Sequence, residues 1–520
     1  MANQTAAQPG TSTSASDMPP LQGAALILAV FVVAVANFMA VLDMTIVNVA
    51  IPHIAGSLAV SQSEGTWVIT SYAVAEAITV PLTGWLARRF GAVRVFVLAA
   101  LGFGLFSALC GLATSLPMLV AFRVFQGLTG GPLMPMSQTL LMHITPKEHQ
   151  NLALGGWTMT TILAPVIGPL LGGNMADTVG WEWAFYINVP IALICAFFAW
   201  RLLASRETER MKSSIDYIGL GLLIVWVGAL QIMLDNGENN DWFASPFILT
   251  LAIIAVIGFV SFLIWELTEA HPIVDLKVFR HRGFAVSAAA MLLTFGSFFG
   301  SIVLVPLWLQ INMGYTATEA GYLVAYNGAL GLFMAPIAAV LISRVDARIL
   351  MSFGISVIAL ATLWRVTFTP DMTFNDMLPA QLALGLGMPF FFVPMMSMAM
   401  AAVKPEETAS AAGLINFLRT MSGAFATAIV ITAWQSGTRA AHVDSVGRLN
   451  DVSGVIDTLR HTGLSYEQAL HALGNMVQSQ SVMISTNHIF LIVGGILALT
   501  AAGVWLMPKP KGFAGPVAAH

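Results

Sequence analysis

The sequence predicts an all-α polytopic membrane protein with fourteen spanning helices, and three observations support this fold class. Hydrophobic residues make up 57% of the chain and charged residues 9%, whereas soluble domains are about 25% charged. Fourteen apolar segments approach or exceed the roughly 20 residues that a helix needs to cross a bilayer. Basic residues cluster on alternate connections between these segments. A set of soluble domains is therefore excluded.

The predicted spans follow one another with short connections in all but one place. In chain order they cover residues 24–50, 67–87, 93–114, 117–142, 151–174, 184–204, 215–234, 246–267, 284–310, 318–342, 349–367, 378–401, 407–434 and 486–507.

The distribution of Lys and Arg predicts the orientation. Connections after even-numbered spans carry basic residues, among them Arg88, Arg94, Lys147 and Lys404, and the opposite connections carry none before Arg439. The positive-inside rule then places both chain ends in the cytoplasm, which requires an even number of spans.

A weak internal repeat predicts two parallel six-helix halves. Gly127 and Gly385 stand 258 residues apart, and Pro81 and Pro336 stand 255 apart in similar surroundings. Such repeats are typical of transporters whose halves face each other across a central site. The predicted division is a tail at 1–20, a first half at 21–204, a linker with two inserted spans at 205–282, a second half at 283–510 and a tail at 511–520. Both tails are expected in the cytoplasm.

Asp43 is the only ionisable residue in the first apolar run, between Leu21 and Ile51. An ionised Asp at a helix centre costs about 2.5–3.5 kcal/mol on insertion scales, so it needs a partner, a water-filled cavity or a bound proton. We interpret Asp43 as a candidate proton or cation site. The alternative is a carboxylate that hydrogen-bonds a neighbouring helix.

Further polar residues recur at helical spacing in spans 2, 4 and 13. Because a charged side chain facing lipid is costly, these faces are expected to point into the bundle. Glu76 and Arg123 join Asp43 as candidates for proton coupling, although Arg123 and Arg419 are also candidates for a structural role. The candidate substrate-binding residues are Tyr72, Thr79, Gln126, Asn416, Arg419, Phe391 and Met395. The last two belong to a Met- and Phe-rich stretch that is either an adaptable apolar wall or a lipid-facing surface.

Span 5 has the pattern of a close-packed, bendable helix. Ala164, Gly168 and Gly172 recur every four residues, so another backbone can approach that face. Pro165 and Pro169 leave backbone carbonyls unpaired and permit a bend. We expect this helix at an interface that rocks or slides. The alternative is a static, tightly packed helix.

Three motifs resemble those of the major facilitator superfamily. They are Leu42-Asp43-x-Thr45-Ile46-Val47-Asn48-Val49-Ala50-x-Pro52, Arg123-x-x-Gln126-Gly127 and Gly168-Pro169-x-x-Gly172-Gly173. With fourteen spans and Trp181-x-Trp183-x-Phe185-x-Ile187-Asn188-Val189-Pro190, residues 21–510 look like the drug:proton antiporter branch of the EmrB/QacA type, and most like EmrB multidrug exporters. The superfamily loop G-x-L-A-D-R-x-G-R appears here as residues 84–92, with Arg88 in place of its acid.

The resemblance implies a major facilitator fold and a defined activity. That activity is export of lipophilic drugs or toxic compounds, including antibiotics, across the bacterial inner membrane by alternating access, driven by inward proton flow. It also implies a conformational role for the loop and span-5 motifs, whose residues here are Gly84, Arg89, Gly91, Pro165, Gly168, Pro169, Gly172 and Gly173.

The long connection at residues 435–485 is the second unusual feature. Ser465 and Gln468 fit a capping box, and Leu470, Leu473 and Val477 follow at helical spacing, which predicts an amphipathic helix. The resemblance implies a periplasmic membrane-fusion adaptor, EmrA-like, and an outer-membrane channel as partners. This connection is a candidate docking surface, and a cap over the cavity is the alternative.

Other function classes find little support in the sequence. The motifs H-E-x-x-H, G-x-S-x-G and Walker A are absent, so neither an enzyme, ATP use nor a nucleic-acid partner is expected. No cofactor or metal is expected either, and Cys110 and Cys195 lie in apolar runs that offer no disulfide framework. An uptake symporter for a small nutrient would share the fold and the buried charge, and it stands as the alternative beside a non-transporting receptor.

Overall fold

The computed structural model describes residues 21–210, 215–449 and 451–507, so the predicted tails at 1–20 and 511–520 lie outside the described residues. The first half is entirely helical in its regular elements. Its helices are α1 Gly23–Ser57, α2 Gln62–Gly65, α3 Trp67–Thr79, α4 Thr83–Phe90, α5 Ala92–Gly111, α6 Leu116–Gly130, α7 Leu133–Ile144, α8 Gln150–Thr178, α9 Trp183–Tyr186 and α10 Asn188–Leu203.

The second half repeats this arrangement after two inserted helices. The inserted pair is α11 Tyr217–Asn236 and α12 Pro246–Thr268. The helices of the second half are α13 Arg282–Asn312, α14 Ala317–Leu341, α15 Ala347–Trp364, α16 Phe374–Ala401, α17 Thr408–Gly447, α18 Val452–His461 and α19 Tyr466–Gly503. We call the side on which α1 begins and α19 ends the terminal side.

Fourteen predicted spans fit these helices. Eleven of the described helices are long and apolar enough to cross a membrane. Predicted spans 2 and 4 are each divided into two helical segments, α3–α4 and α6–α7, and span 5 is α8. The divisions fall at Pro81 and Pro132, because proline lacks the N–H that continues the helical ladder.

The inserted pair packs on the first half and on α17. Trp226 of α11 lies beneath Gly258 of α12 and meets Phe417 of α17 with ring centroids 5.9 Å apart. On the side opposite the chain ends, Thr432 of α17 donates to Glu238 in the connection between the inserted helices, at 3.0 Å. The pair is therefore tied to α17 along much of its length.

The connection predicted at 435–485 is mostly a continuation of two spanning helices. α17 has 40 residues and α19 has 38, so each is about 60 Å long, roughly twice the hydrocarbon thickness. α17 contains no proline and continues past the predicted end of its span. The capping box of Ser465 and Gln468 is confirmed, and Ile456, Ala469 and Leu473 pack α18 against α19.

Candidate functional site

Asp43 lies at the centre of a buried polar cluster in the first half. Its Oδ2 accepts a hydrogen bond from Arg123 Nη1 at 2.6 Å. Its Oδ1 accepts from Gln126 Nε2 at 3.0 Å and from Asn188 Nδ2 at 2.7 Å. Asp43 is 0% exposed and Arg123 is 1% exposed. The carboxylate that the sequence left without a partner is therefore paired with a cation and satisfied by two amides.

The Arg123 guanidinium is held from several directions. Its Nε donates to the backbone oxygen of Val68 at 3.0 Å, and its Nη1 also donates to Gln126 Oε1 at 2.8 Å. The Tyr72 ring lies under the guanidinium, with its centroid 4.1 Å from Cζ, and contributes a cation–π contact. Because both charges have several partners, the pair is expected to be rigid.

Gly168 and Gly172 of α8 pack against the turn of α1 that carries Asp43. A Cβ added at Gly172 would lie 2.8 Å from the backbone oxygen of Ile46, and one at Gly168 would overlap the Thr45 hydroxyl. Gly173 is less crowded, since its nearest neighbour would lie 3.8 Å away. This close approach lies within the first half, whereas the sequence led us to expect a moving interface.

The backbone at positions 165 and 169 belongs to α8, and the side chains of both prolines lie outside the described residues. The predicted bend in span 5 therefore stays a prediction.

Glu76 is buried on α3, within reach of charges in both halves. It is 8% exposed, its Oε2 has no hydrogen-bond partner, and in the described part of the chain no ion pair within 4.0 Å includes it. Arg419 of α17 lies near enough for the two charges to attract each other across the boundary between the halves. Arg419 itself rests against the Met134 sulfur and over the Phe295 ring, whose centroid is 5.6 Å from Cζ. Glu76 is thus a buried acid without a fixed partner.

The remaining candidate substrate residues separate into two groups. Asn416 lies at the boundary between the halves and donates to Gln138 Oε1 of α7 at 2.7 Å. Thr79 donates back to the Ala75 carbonyl of its own helix, while Phe391 and Met395 are 0% exposed inside the second half. Asn416 is therefore placed to meet a ligand between the halves. Thr79, Phe391 and Met395 belong to the core in this state.

The loop motif of residues 84–92 also contacts the second half. A Cβ at Gly84 would overlap Ser410 of α17, and Arg88 Nη1 donates to Ser410 Oγ at 2.8 Å. Arg89 lies half-buried in the last turn of α4. Arg88 therefore forms a direct contact between the halves where the superfamily pattern has an acid.

Gly91 has a positive backbone angle, φ +93°, that only glycine adopts readily. The Glu207 carboxylate fills the space beside it and accepts from the backbone N–H groups of Val93 and Arg94 at 2.9 and 3.0 Å. These bonds satisfy free N–H groups at the start of α5. A glutamate 116 residues further along the chain therefore caps the helix that follows the loop.

Two further contacts join the halves on the terminal side. A Cβ at Gly155 of α8 would lie 2.6 Å from the Ala339 methyl group of α14. Ser397 Oγ of α16 donates to Asn151 Oδ1 of α8 at 2.9 Å. With the Arg88–Ser410 contact, they place the halves together at this end of the bundle.

A family model described as Major Facilitator Superfamily matches residues 33–427. The chain belongs to the major facilitator superfamily. It is 42% identical to the multidrug export protein EmrB of Haemophilus influenzae, over 96% of this chain and 99% of that protein. It is 41% identical to the fatty acid resistance protein FarB of Neisseria gonorrhoeae, over 95% and 98% of the two chains. EmrB of Escherichia coli strain K12 is 40% identical over the same shares.

Solved structures agree on the superfamily fold. The human organic anion transporter MFSD10 superposes with a TM-score of 0.57 at 13% identity, covering 92% of this chain and all of the other. The proton:xylose symporter XylE gives a TM-score of 0.57 at 12% identity, covering 93% of this chain and 96% of the other. At these identities the likeness concerns the fold alone.

Within this superfamily member, sequence reasoning missed several members of the buried cluster. Asn188 belongs to the Trp181–Pro190 motif but received no role, and Ser107, which accepts from Asn188 Nδ2 at 3.1 Å, was not singled out. Gln138 was also unassigned, although it lies one helical turn beyond Met134 on the face that meets α17. A polar residue inside an apolar run was the available signal in each case.

Proposed function

We propose that this chain exports lipophilic compounds across the bacterial inner membrane in exchange for protons, by alternating access. The observation that carries the proposal is Glu76, a buried carboxyl without a fixed partner at the boundary between the halves. An intramembrane ionisable residue of this kind is by default functional. Relatives of nearly the same length are named for multidrug export and fatty acid resistance, which supports the same activity here.

In this proposal the terminal side is cytoplasmic, and both chain ends lie there, because the basic connections are on that side. The contacts of Arg88, Gly155 and Ser397 then close the cytoplasmic end, so this state accepts protons from the periplasm. Protonation of Glu76 removes its attraction to Arg419, which weakens one link between the halves. The halves then separate on the cytoplasmic side, where the compound to be exported displaces the proton.

The buried pair of Asp43 and Arg123 has a different role in this scheme. Asp43 already has three hydrogen-bond donors, including a cation, so both of its carboxylate oxygens are engaged in fixed contacts. We assign it to positioning α1 and α6 beside α3, on which Glu76 lies. Among the three coupling candidates, Glu76 is the proposed proton carrier.

The long helices α17 and α19, with α18 between them, are the proposed docking surface for a periplasmic adaptor of the EmrA kind that leads to an outer-membrane channel. Their outer ends expose apolar side chains, including Val443, Leu470 and Met476 at 73%, 48% and 55%. Exposed apolar patches of this kind mark interaction sites. Deleting residues 449–465 should then reduce resistance in cells without reducing transport by vesicles.

The test of proton coupling uses everted membrane vesicles and the variant Glu76→Gln. The matched control is Glu148→Gln, an exposed carboxyl on the connection before α8. Wild type and control should release protons when a lipophilic test compound such as decyltrimethylammonium is added, and Glu76→Gln should bind the compound without proton release. Proton-driven transport in the opposite direction would favour an importer, and normal coupling by Glu76→Gln would remove Glu76 from the mechanism.

A further inference from the structure

A second buried polar cluster lies in the second half, around Arg365. Arg365 follows α15 and is 0% exposed. Its Nη1 donates to Ser301 Oγ of α13 at 2.9 Å, and its Nη2 donates to Gln381 Oε1 of α16 at 2.6 Å. Among the described residues, no acidic side chain forms an ion pair with Arg365.

The internal repeat relates this cluster to the one around Asp43. Ser301 stands 258 residues after Asp43, and Gln381 stands 258 residues after Arg123. The spacing is the same as that between Gly127 and Gly385. The equivalent positions are therefore polar in both halves. However, the acid has become a serine, and the cation has moved from α6 to the end of α15.

The unsatisfied groups in this cluster are hydrogen-bond donors. Arg365 Nε and Gln381 Nε2 are buried and have no acceptor among the described residues. A buried cation without a counter-charge is costly, and so is a buried donor without an acceptor. A group that completes this cluster must supply acceptor atoms and a negative charge.

We propose that Arg365, Gln381 and Ser301 form a subsite for the carboxylate of a lipophilic organic acid. A carboxylate matches the paired N–H donors along one edge of a guanidinium, so Nε and one Nη group can hold both oxygens. The surroundings suit an apolar tail, because the Phe490 ring lies 5.6 Å from Arg365 Cζ and Trp308 stacks on Phe368 beside it. The inference rests on the proposed export function and names one class of its substrates.

Access to the subsite is closed in this state, since Arg365 is fully buried. Phe368 follows Arg365 by one short turn of the chain, and its backbone N–H donates to the Arg365 carbonyl at 3.0 Å. Phe368 therefore lies next to the subsite. Phe368 also lines a cleft of about 260 Å³ with Met483, Ile484 and Asn487. The cleft therefore adjoins the subsite through Phe368.

The test compares two ligands with the same ten-carbon tail on purified full-length protein in nanodiscs. Decanoate carries the carboxylate, and decyltrimethylammonium carries a cation in its place. Arg365→Gln should weaken decanoate binding about tenfold or more, as expected for loss of a charge-assisted bidentate contact, and should change decyltrimethylammonium binding less than about twofold. Arg344→Gln, which removes an exposed arginine from the terminal side, is the control and should change neither.

The variant Ser301→Asp keeps the inference falsifiable if Arg365→Gln does not fold. It places an acid at the position equivalent to Asp43, where it neutralises Arg365, and should also weaken decanoate binding. Unchanged decanoate affinity in either folded variant would overturn the subsite.

A free inorganic anion such as chloride is the other source of the same chemistry. Measurements in buffer with and without sodium chloride separate the two. If chloride raises the melting temperature through Arg365 while decanoate binding does not depend on Arg365, the carboxylate subsite is wrong. The binding measurement needs no proton gradient. If wild-type vesicles fail to export decyltrimethylammonium, the proposed function is therefore contradicted, but the result of the decanoate binding experiment remains valid.

Discussion

The Asp43 cluster in the first half and the Arg365 cluster in the second occupy equivalent positions of the repeat but differ in charge. The first contains an ion pair, and the second contains an arginine without a paired acid among the described residues. In the first, an aspartate and an arginine neutralise each other at 2.6 Å. In the second, the Arg365 guanidinium has a hydroxyl and an amide oxygen as its hydrogen-bond acceptors, and no carboxylate among the described residues pairs with it. The ion pair of the first cluster is complete without a ligand, although Tyr72 Oη and Asn188 Oδ1 beside it have no partner among the described residues, whereas the second cluster has two buried donors without an acceptor there.

This difference indicates how two similar halves divide their work. A neutral, fully bonded pair fixes the helices that carry it, because breaking it exposes an uncompensated charge to an apolar interior. A lone buried cation adds little rigidity of its own and is available to a ligand. The following predictions either break this contrast or sharpen it.

The largest effect is expected from breaking the Asp43–Arg123 pair. Asp43→Asn or Arg123→Gln leaves one buried charge without its partner, which typically costs about 3–5 kcal/mol in the free energy of unfolding. The double variant Asp43→Asn/Arg123→Gln removes both charges and should be more stable than either single variant. Thermal unfolding of purified protein in detergent measures all three. Losses that simply add would show that the pair contributes no coupling.

A smaller effect, in this case a gain in stability, is expected when the second cluster receives its own acid. Ser301→Asp replaces a neutral acceptor of Arg365 by a charged one, and hydrogen bonds to charged groups contribute about 1.5–3 kcal/mol. The same melting experiment should therefore show higher stability. Ser301→Ala removes the acceptor and serves as the opposite control. If both substitutions lower the melting temperature equally, the site has no room for a second charge.

Sequence reasoning found three members of the first cluster but not their pairing, and it missed Asn188 and Ser107. Asp43, Arg123 and Gln126 stood out as polar residues in apolar runs, yet they lie on different spans, and no periodicity within one helix reveals a neighbour on another. Arg365 received no role because it falls in the last turn of predicted span 11, where an arginine ordinarily reaches toward water. Its burial depends on α13, α16 and α19 together.

The fold itself was more accessible to prediction. The predicted fourteen spans fit the helices, and the capping box of Ser465 follows from local chemistry. The divisions of spans 2 and 4 at Pro81 and Pro132 were not predicted, although proline was the available signal. The extension of α17 to Gly447 did not follow, since the residues beyond 434 are less apolar and hydropathy marks the membrane boundary, not the end of a helix.

A test of the repeat itself uses its two equivalent glycines. A Cβ at Gly127 would lie 2.5 Å from the Tyr72 carbonyl, and one at Gly385 would overlap the Asn327 carbonyl, so both abut the backbone of the neighbouring helix. Relative to Gly423→Ala, whose Cβ meets nothing closer than 3.5 Å, Gly127→Ala and Gly385→Ala should each cost about 1–3 kcal/mol through overpacking. Unequal losses in thermal unfolding would indicate that the two contacts differ in kind.

The smallest effect on the free energy of unfolding is expected from Arg365→Gln. The comparison with Arg123→Gln, for which a large loss is expected, tests the difference between the two clusters directly. Removing Arg365 leaves no unpaired carboxylate, because none of the described acids is its partner. Glutamine retains a donor for Ser301 or Gln381, and the desolvation cost of the buried charge disappears. The free energy of unfolding should therefore change by less than about 1 kcal/mol, within the range of a single neutral hydrogen bond.

Thermal unfolding without ligand checks this, with Arg123→Gln measured beside it. Saturating decanoate should then raise the melting temperature of wild type but not of Arg365→Gln, because a ligand stabilises only the state that binds it. If Arg365→Gln loses as much stability without ligand as Arg123→Gln does, then the neighbours of Arg365 compensate its charge as fully as Asp43 compensates that of Arg123. The proposed contrast between the two clusters would then be wrong.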